Sequence, residues 1–278
     1  MAAHENSQPL FLREAAATPG KKVLLVEGTG DVSFLTLMLD KPPLREENIL
    51  ADWVIAPAGG KEAVLRLLKE QPELHGMVDR DAWDEKECAQ KLKEYKTLHI
   101  LPRFCIENFL ICPDELSSAI PAFRELAPII TREIPNAVRH ACLWRAAQPL
   151  YEELLQAGFN RALLYYPPPD ETEMKRLLGD WQQLLSPENV RLRMDEAQRQ
   201  MAGSSPHDLL ARFTHGKVFW RGCVELLASR VFPGLKSDEL RRTVYRRLPL
   251  PKDLEEFLRE IFLARGSAPR PRQRDISL

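Results

Sequence analysis

Short apolar runs alternate with amphipathic segments over the first hundred residues of the chain. Four runs are dominated by aliphatic residues, and they are KKVLLVEG, ADWVIAPAGG, LHGMVDRD and KTLHILPR. Runs of this kind are typical of parallel strands that are buried on both faces. The segments between them have helical spacing, as in KEAVLRLLKEQ and DEKECAQKLKEY. Strands that alternate with helices predict an α/β fold with a parallel central sheet flanked by helices and right-handed crossovers.

The strand rhythm ends after Phe104. The segment CIENFLICPDEL predicts a helical turn, and the rest of the chain is rich in amphipathic helices without further strands. We therefore expect a core over residues 1–118, a helical insertion over 119–204 and a helical C-terminal region over 205–278 that completes the core. The end of the chain is rich in proline and arginine, which predicts a disordered basic tail from about residue 266.

Acidic residues follow the first and third predicted strands. Glu27 comes after VLLV, and Asp79 and Asp81 come after HGMV. The carboxyl ends of parallel strands share one edge, where open α/β sheets bind their ligands. Residues two apart on a strand point to the same face, so we expect both aspartates to face one ion. Carboxylate oxygens suit a hard divalent cation. The alternative is a solvated acidic turn, and Asp31 is interpreted as an N-cap or first-turn acid.

Further candidates for this edge come with alternatives of their own. Glu107 follows the fourth predicted strand and is either a fourth carboxylate of the site or an acid at a helix start. Lys61 follows a Gly-Gly turn and either contacts a phosphate or is solvated. Lys217, in the triplet His215-Gly216-Lys217, either stabilises the charge of a phosphoryl transition state or is a surface residue at a helix N-terminus.

Charge and composition narrow the class of protein. The formal net charge is −1, which disfavours a uniformly basic nucleic-acid binder but allows local basic patches. Arginines at 241, 242, 246 and 247 form one such patch, and those at 270, 272 and 274 make the tail basic. Three interpretations of these arginines are open, namely contact with a phosphate backbone, exposure to solvent and docking to an acidic partner. The five cysteines form no CxxC pair, so neither a disulfide framework nor a structural zinc site is indicated.

No apolar stretch approaches the roughly 20 residues that are needed to span a bilayer. The first ten residues, MAAHENSQPL, lack the basic and apolar regions of a secretory signal. We therefore expect a cytoplasmic protein that has no membrane partner.

Three motifs, in order, carry a resemblance to the Toprim domain, and they are VEGTGDVSFL, AGGK and VDRD. The Toprim pattern has a glutamate before glycine after the first strand and Asp-x-Asp after the third. Glu27, Asp79 and Asp81 match it position by position. The further segments IENFL and HGK are similar to the bacterial Toprim-like nuclease family that includes the OLD-type nucleases and the AriB effector of the PARIS anti-phage system. The clear resemblance covers residues 21–118, with a weaker similarity at 215–217.

The resemblance implies a Toprim-like core that binds Mg²⁺ or Mn²⁺ through Glu27, Asp79 and Asp81. It implies a metal-dependent endonuclease that cleaves RNA (tRNA among the candidates) or DNA in anti-phage defence. Glu107 and Lys217 complete the expected catalytic set. An ABC-type ATPase partner that restrains the nuclease is also implied, and a homodimer is left open. The alternatives are a non-catalytic sensor or docking subunit of an ATPase-containing defence complex and, ranked last, a primase-like polymerase.

Overall fold

A four-stranded parallel sheet lies at the centre of the protein. The computed structural model describes residues 20–159 and 170–263. The strands are β1 (Lys22–Val26), β2 (Trp53–Pro57), β3 (His75–Val78) and β4 (Leu98–Ile100). Their order in the sheet is β2-β1-β3-β4, and every pairing is parallel. The predicted α/β fold with a parallel central sheet is therefore confirmed.

Three crossover helices connect the strands, as the amphipathic segments predict. They are α1 (Thr29–Leu39), α2 (Lys61–Glu70) and α3 (Glu85–Glu94). Asp84 caps α3, since its side chain accepts a hydrogen bond of 2.8 Å from the N–H of Glu87. Each crossover returns the chain to the same end of the sheet, so the carboxyl ends of all four strands lie along one edge.

Helices cover both faces of the sheet, which explains why the strands are apolar at consecutive positions. Leu24 and Val26 of β1 belong to one large core cluster, together with side chains of α1 and of the C-terminal helices. Leu25 belongs to a second cluster on the other face, formed mainly with α2. Consecutive residues of a strand point to opposite faces, so β1 is buried on both.

The regular elements of the described chain beyond β4 are all helical. The α-helices are α4 (Pro113–Ala119), α5 (Ala127–Arg132), α6 (Ile134–Gln156), α7 (Glu171–Leu184), α8 (Pro187–Met201), α9 (Pro206–Asp208), α10 (Gly216–Phe219), α11 (Glu225–Val231), α12 (Ser237–Arg247) and α13 (Lys252–Leu263). Shorter 3₁₀ turns cover Leu44–Glu47, Ile49–Ala51, Ile106–Leu110 and Pro121–Phe123, and π-helical turns cover Leu209–Phe213 and Trp220–Val224. No described helix is both long and apolar enough to cross a membrane.

The C-terminal helices share a core with the sheet. Phe34 of α1 lies against Phe109 and against Tyr245 of α12, with ring centroids 5.6 and 4.9 Å away. Leu254 and Leu258 of α13 are fully buried in the same cluster. The domain boundaries at residues 118 and 204 stay a prediction. The basic tail, with Arg270, Arg272 and Arg274, lies outside the described residues.

Two histidines form a stacked pair on β3 and β4. His75 Nδ1 lies 3.2 Å from His99 Nε2, and the rings are nearly parallel. Burial lowers the pKa of His99 to about 4, and the neighbouring His75 adds to the shift. Burial also lowers the pKa of His75, helped by Lys22. The folded protein therefore binds protons at this pair less readily than the unfolded chain does.

We expect this pair to make stability depend on pH. Because the unfolded His99 titrates near its usual pKa of 6.5, the free energy of unfolding falls as the pH drops from about 6.5 to about 4. The full loss from His99 is about 3 kcal/mol. Urea unfolding of His99→Gln between pH 4 and 7 checks this, and the slope is expected to flatten. His140→Gln, at an exposed position on α6, is expected to keep the wild-type slope; equal slopes in all three proteins would contradict the assignment.

Candidate active site

The glutamate after β1 is joined directly to the first aspartate after β3. Glu27 Oε1 accepts a hydrogen bond of 2.8 Å from the backbone N–H of Asp79. The chain leaves β1 towards β2 on one side and returns through β3 on the other, so the strand order reverses between β1 and β3. Such a reversal opens the crevice in which open α/β sheets bind ligands. The structure thus brings Glu27 and Asp79 together at the expected edge.

The Gly-Gly turn before α2 is tied to the same edge. The carbonyl oxygen of Glu27 accepts hydrogen bonds from the N–H groups of Gly59 and Gly60, at 3.0 and 2.8 Å. Both glycines have positive φ angles, 96° and 124°, a region that side chains disfavour. The turn brings Lys61 to Asp81, where Nζ lies 2.5 Å from Oδ2. Lys61 is therefore held by a carboxylate and not by solvent.

Asp81 reaches the edge by a route that differs from the predicted one. β3 ends at Val78, so the alternation of strand side chains does not orient Asp79 and Asp81. Asp81 has a φ of 51°, in the left-handed region that aspartate tolerates better than most residues. Its N–H donates to the carbonyl of Phe104 at 2.8 Å. The expectation based on strand alternation is wrong, and a turn anchored to the segment after β4 positions Asp81.

Glu107 is buried at the same end of the sheet. It lies in the 3₁₀ turn Ile106–Leu110 and is only 2% exposed. Its Oε1 pairs with Arg241 Nη1 at 3.0 Å, whereas Oε2 is buried without a hydrogen-bond partner among the described residues. The hydroxyl of Tyr245 donates to the carbonyl of Ile106 at 2.9 Å, so α12 fixes this turn. Glu107 is therefore not a solvated acid at a helix start.

Lys217 extends over Asp79 from the start of α10. Its Nζ lies 3.7 Å from Asp79 Oδ2, and the side chain is half exposed. Burial alone would lower the pKa of Lys217, but attraction by Asp79, Glu107 and Asp31 outweighs burial and raises it. Lys217 therefore carries its positive charge at neutral pH. His215, next to it, has a lowered pKa because of burial, and its Nδ1 is buried without a partner in the described part of the chain.

A fully buried asparagine joins the two segments that carry Glu107 and Lys217. Asn108 Nδ2 donates to the carbonyls of Leu210 and Thr214, at 2.6 and 2.8 Å. Its Oδ1 accepts from the N–H of Cys105 at 3.0 Å. Gly216 lies so close that a Cβ there would be 2.4 Å from Asn108 Oδ1. The pairing of IENFL with HGK in the sequence thus has a structural basis, because Asn108 and Gly216 are in contact.

Sequence reasoning missed two residues of this cluster. Asp31 is buried, and its Oδ2 accepts the N–H of Gly28 at 2.7 Å, which fits the first-turn interpretation. It also lies close enough to Asp79 to influence its ionisation. Arg241 belongs to the predicted basic face but turns towards Glu107. Asp31 follows Glu27 within one motif and could have been found there, whereas nothing in the sequence separates Arg241 from Arg242, Arg246 and Arg247, which are exposed.

Crowding changes the ionisation of the carboxyl groups. Burial raises the pKa of Glu27 and of Asp31 above their usual values, although a backbone hydrogen bond opposes the shift in each. The pKa of Asp79 is raised well above the usual value, because burial combines with the repulsion of Glu27, Asp81 and Asp31. Like charges in a low-dielectric site favour protonation unless a cation neutralises them.

The side chains at this edge are of the type that a hard divalent cation takes as ligands. Five carboxylates cluster here, those of Glu27, Asp31, Asp79, Asp81 and Glu107. All of them offer oxygen ligands, which Mg²⁺ and Mn²⁺ prefer. Among the described residues, Oε2 of Glu107 is a buried acceptor without a hydrogen-bond donor. The case for a cation here rests on the type of ligand atoms and not on a preformed coordination shell.

The most tightly gathered metal-ligating atoms within residues 20–159 and 170–263 belong to Cys112, Glu115 and His207, and they lie within 4.8 Å of one another. This group also contains Arg103, whose guanidinium bonds both oxygens of Glu115, at 2.5 and 2.8 Å. It bonds Asp253 of α13 as well, at 2.9 Å. The guanidinium of Arg103 therefore occupies the position beside Glu115 where a metal ion would bind. The group is an ion network around a buried arginine.

Comparison with known proteins gives no assignment for this chain. No protein-family model matches it, and no curated protein matches it significantly.

We expect Gly216→Ala to destabilise the protein by about 1–3 kcal/mol, since the new methyl group overlaps Asn108 and overpacking has this magnitude. Gly222 is the matched control, because a Cβ there meets nothing within 4 Å. Gly222→Ala is expected to be neutral or slightly stabilising. Thermal and urea unfolding of both variants measures the difference. Equal stability of the two variants would show that the contact between Gly216 and Asn108 is not tight.

Proposed function

We propose that this protein is a metal-dependent endonuclease of the Toprim type, which cleaves phosphodiester bonds in RNA or DNA. The observation that carries the proposal is the hydrogen bond between Glu27 and the N–H of Asp79. It places the glutamate of the first motif on the aspartate of the third, across the crevice where the strand order reverses. The edge also has a lysine, Lys217, directed at the same aspartate.

In the proposed mechanism the carboxylates of Glu27, Asp79 and Asp81 would hold one or two Mg²⁺ or Mn²⁺ ions, and Glu107 would assist. When bound, such an ion would activate a water molecule and offset the charge on the phosphorus oxygens. The protein contributes an anionic edge and fixes the carboxylates through the turns at Gly59 and Phe104.

Glu27 has the features of a proton-transfer group. Within the described residues it forms no ion pair, unlike Asp79, Asp81 and Glu107. Burial raises its pKa above the usual value, and a raised carboxyl pKa suits a group that takes up and releases protons. Glu27 Oε1 is held by Asp79, so we assign the proton transfer to Oε2 as base or acid.

Lys217 supplies positive charge for the transition state. Its side chain is half exposed and its ammonium group lies beside Asp79, whereas Lys61 of α2 pairs with Asp81. A fixed positive charge lowers the reaction barrier when it stabilises negative charge that develops in the transition state and is absent from the ground state.

The biological setting of the proposal is bacterial anti-phage defence, by resemblance to the AriB-like nucleases. Nucleic acid is the proposed substrate, and an ABC-type ATPase that restrains the nuclease is the proposed partner. The non-catalytic alternative is a Toprim-like sensor or docking subunit. One observation favours it, namely that Lys61 lies 2.5 Å from Asp81, so this carboxylate is satisfied without any ion.

The cleavage test uses tRNA, single-stranded DNA and plasmid as substrates, with Mg²⁺, Mn²⁺ or EDTA. We expect metal-dependent cleavage by the wild-type protein, and its loss in Glu27→Gln, which keeps the shape of the side chain but cannot transfer the proton. Glu62→Gln, at an exposed position on α2, is the control and is expected to cleave normally. Cleavage that survives Glu27→Gln would refute the assignment, and no cleavage by any protein would support the docking subunit.

We expect Lys217→Met to lower kcat by about 10²–10³, the usual loss when one preorganised donor to a transition state is removed. KM is expected to change little, because the effect is on the transition state. Lys93→Met, at an exposed position on α3, is the control. A raised KM with unchanged kcat would instead make Lys217 a substrate-binding residue.

A further inference from the structure

The acidic edge has its own counter-charges, and they come from three separate elements. Lys61 pairs with Asp81, Lys217 with Asp79 and Arg241 with Glu107. Among the described residues, no basic side chain forms an ion pair with Glu27 or Asp31, the two remaining carboxylates. Counted formally, five carboxylates and three cations leave two net negative charges, which matches one divalent cation.

Lys61 is the least exposed of these cations. Its side chain is 16% exposed, whereas those of Lys217 and Arg241 are 51% and 31% exposed. Its Nζ is 2.5 Å from Asp81 Oδ2 and 4.2 Å from the centroid of the Trp83 ring. An ammonium between a carboxylate and an aromatic face is stabilised from both sides. Lys61 therefore occupies Oδ2 of Asp81, one of the two oxygens that this carboxylate could offer to a metal ion.

We propose that Lys61 is a built-in counter-ion that competes with the divalent cation for Asp81 and lowers the affinity of the site. This inference rests on the cation site of the proposed function. Lys61 acts as a positioning residue, because it contacts Asp81 and Trp83 and its effect on the ion passes through Asp81. Removing its charge frees Asp81 and raises the net negative charge of the edge from two to three.

The size of the effect follows from Coulomb's law. Even with the full screening of bulk water, a single positive charge about 5 Å from a divalent ion opposes its binding by about tenfold in Kd. The effect is largest at low ionic strength, since salt screens partly exposed charges.

Titration of the protein alone with Mn²⁺, with free Mn²⁺ followed by electron paramagnetic resonance at low ionic strength, tests the proposal without any substrate. We expect Lys61→Met to bind Mn²⁺ about tenfold more tightly than the wild-type protein. Lys61→Arg keeps the charge and is expected to retain the wild-type Kd. Lys69→Met removes an exposed lysine of the same helix that pairs with Glu94, and it is the matched control.

An unchanged or raised Kd in Lys61→Met would overturn the proposal, because it would mean that Lys61 does not compete or that it helps to build the site. If circular dichroism shows that Lys61→Met does not fold, Lys61→Gln takes its place. The two proposals fail differently. If all variants bind Mn²⁺ equally, only the proposed role of Lys61 is refuted. If no variant binds Mn²⁺, the cation site is refuted, and the proposed nuclease function with it.

Discussion

Carboxylates gathered at one edge of a sheet repel one another, and this protein balances the repulsion with cations from distant parts of the chain. Asp79 is buried beside Glu27 and Asp31, and its pKa is raised well above the usual value. Such a cluster costs free energy through lost hydration and like-charge repulsion. Lys217 and Arg241 offset part of that cost from helices that follow the sheet by more than a hundred residues. The helical C-terminal region is therefore part of the site and not an appendage to it.

A second ion network, around the buried guanidinium of Arg103, ties α4 and α13 to the segment that follows β4. Arg103, only 2% exposed, bonds Glu115 of α4 and Asp253 of α13. Burial acts to lower the pKa of Arg103, but the hydrogen bonds with both carboxylates outweigh burial and raise it. Because breaking a buried ion pair leaves an uncompensated charge, such networks hold their elements in one arrangement. Arg103 also donates to the carbonyl of Asn108 at 3.1 Å, so the two networks meet at the turn that carries Glu107.

The strands, the crossover helices and the edge that holds Glu27 and Asp79 could be predicted, because they follow from local patterns of apolar residues and from the geometry of parallel sheets. The position of Asp81 could not be derived in this way, since its left-handed φ depends on a hydrogen bond to Phe104, more than twenty residues away. Lys61 and Arg241 were likewise ambiguous, because a lysine or arginine on an amphipathic helix has the same local pattern whether it meets a carboxylate or water.

The order of the counter-charges along the chain has a consequence for synthesis. The acids from Glu27 to Glu107 leave the ribosome early, whereas Lys217 and Arg241 emerge more than a hundred residues later. Domains fold as units during translation, and this edge stays electrostatically incomplete until α12 is made. A nascent chain that ends before α12 thus carries the acidic residues without all of their counter-charges, so the site is completed only when the chain through Arg241 has been made.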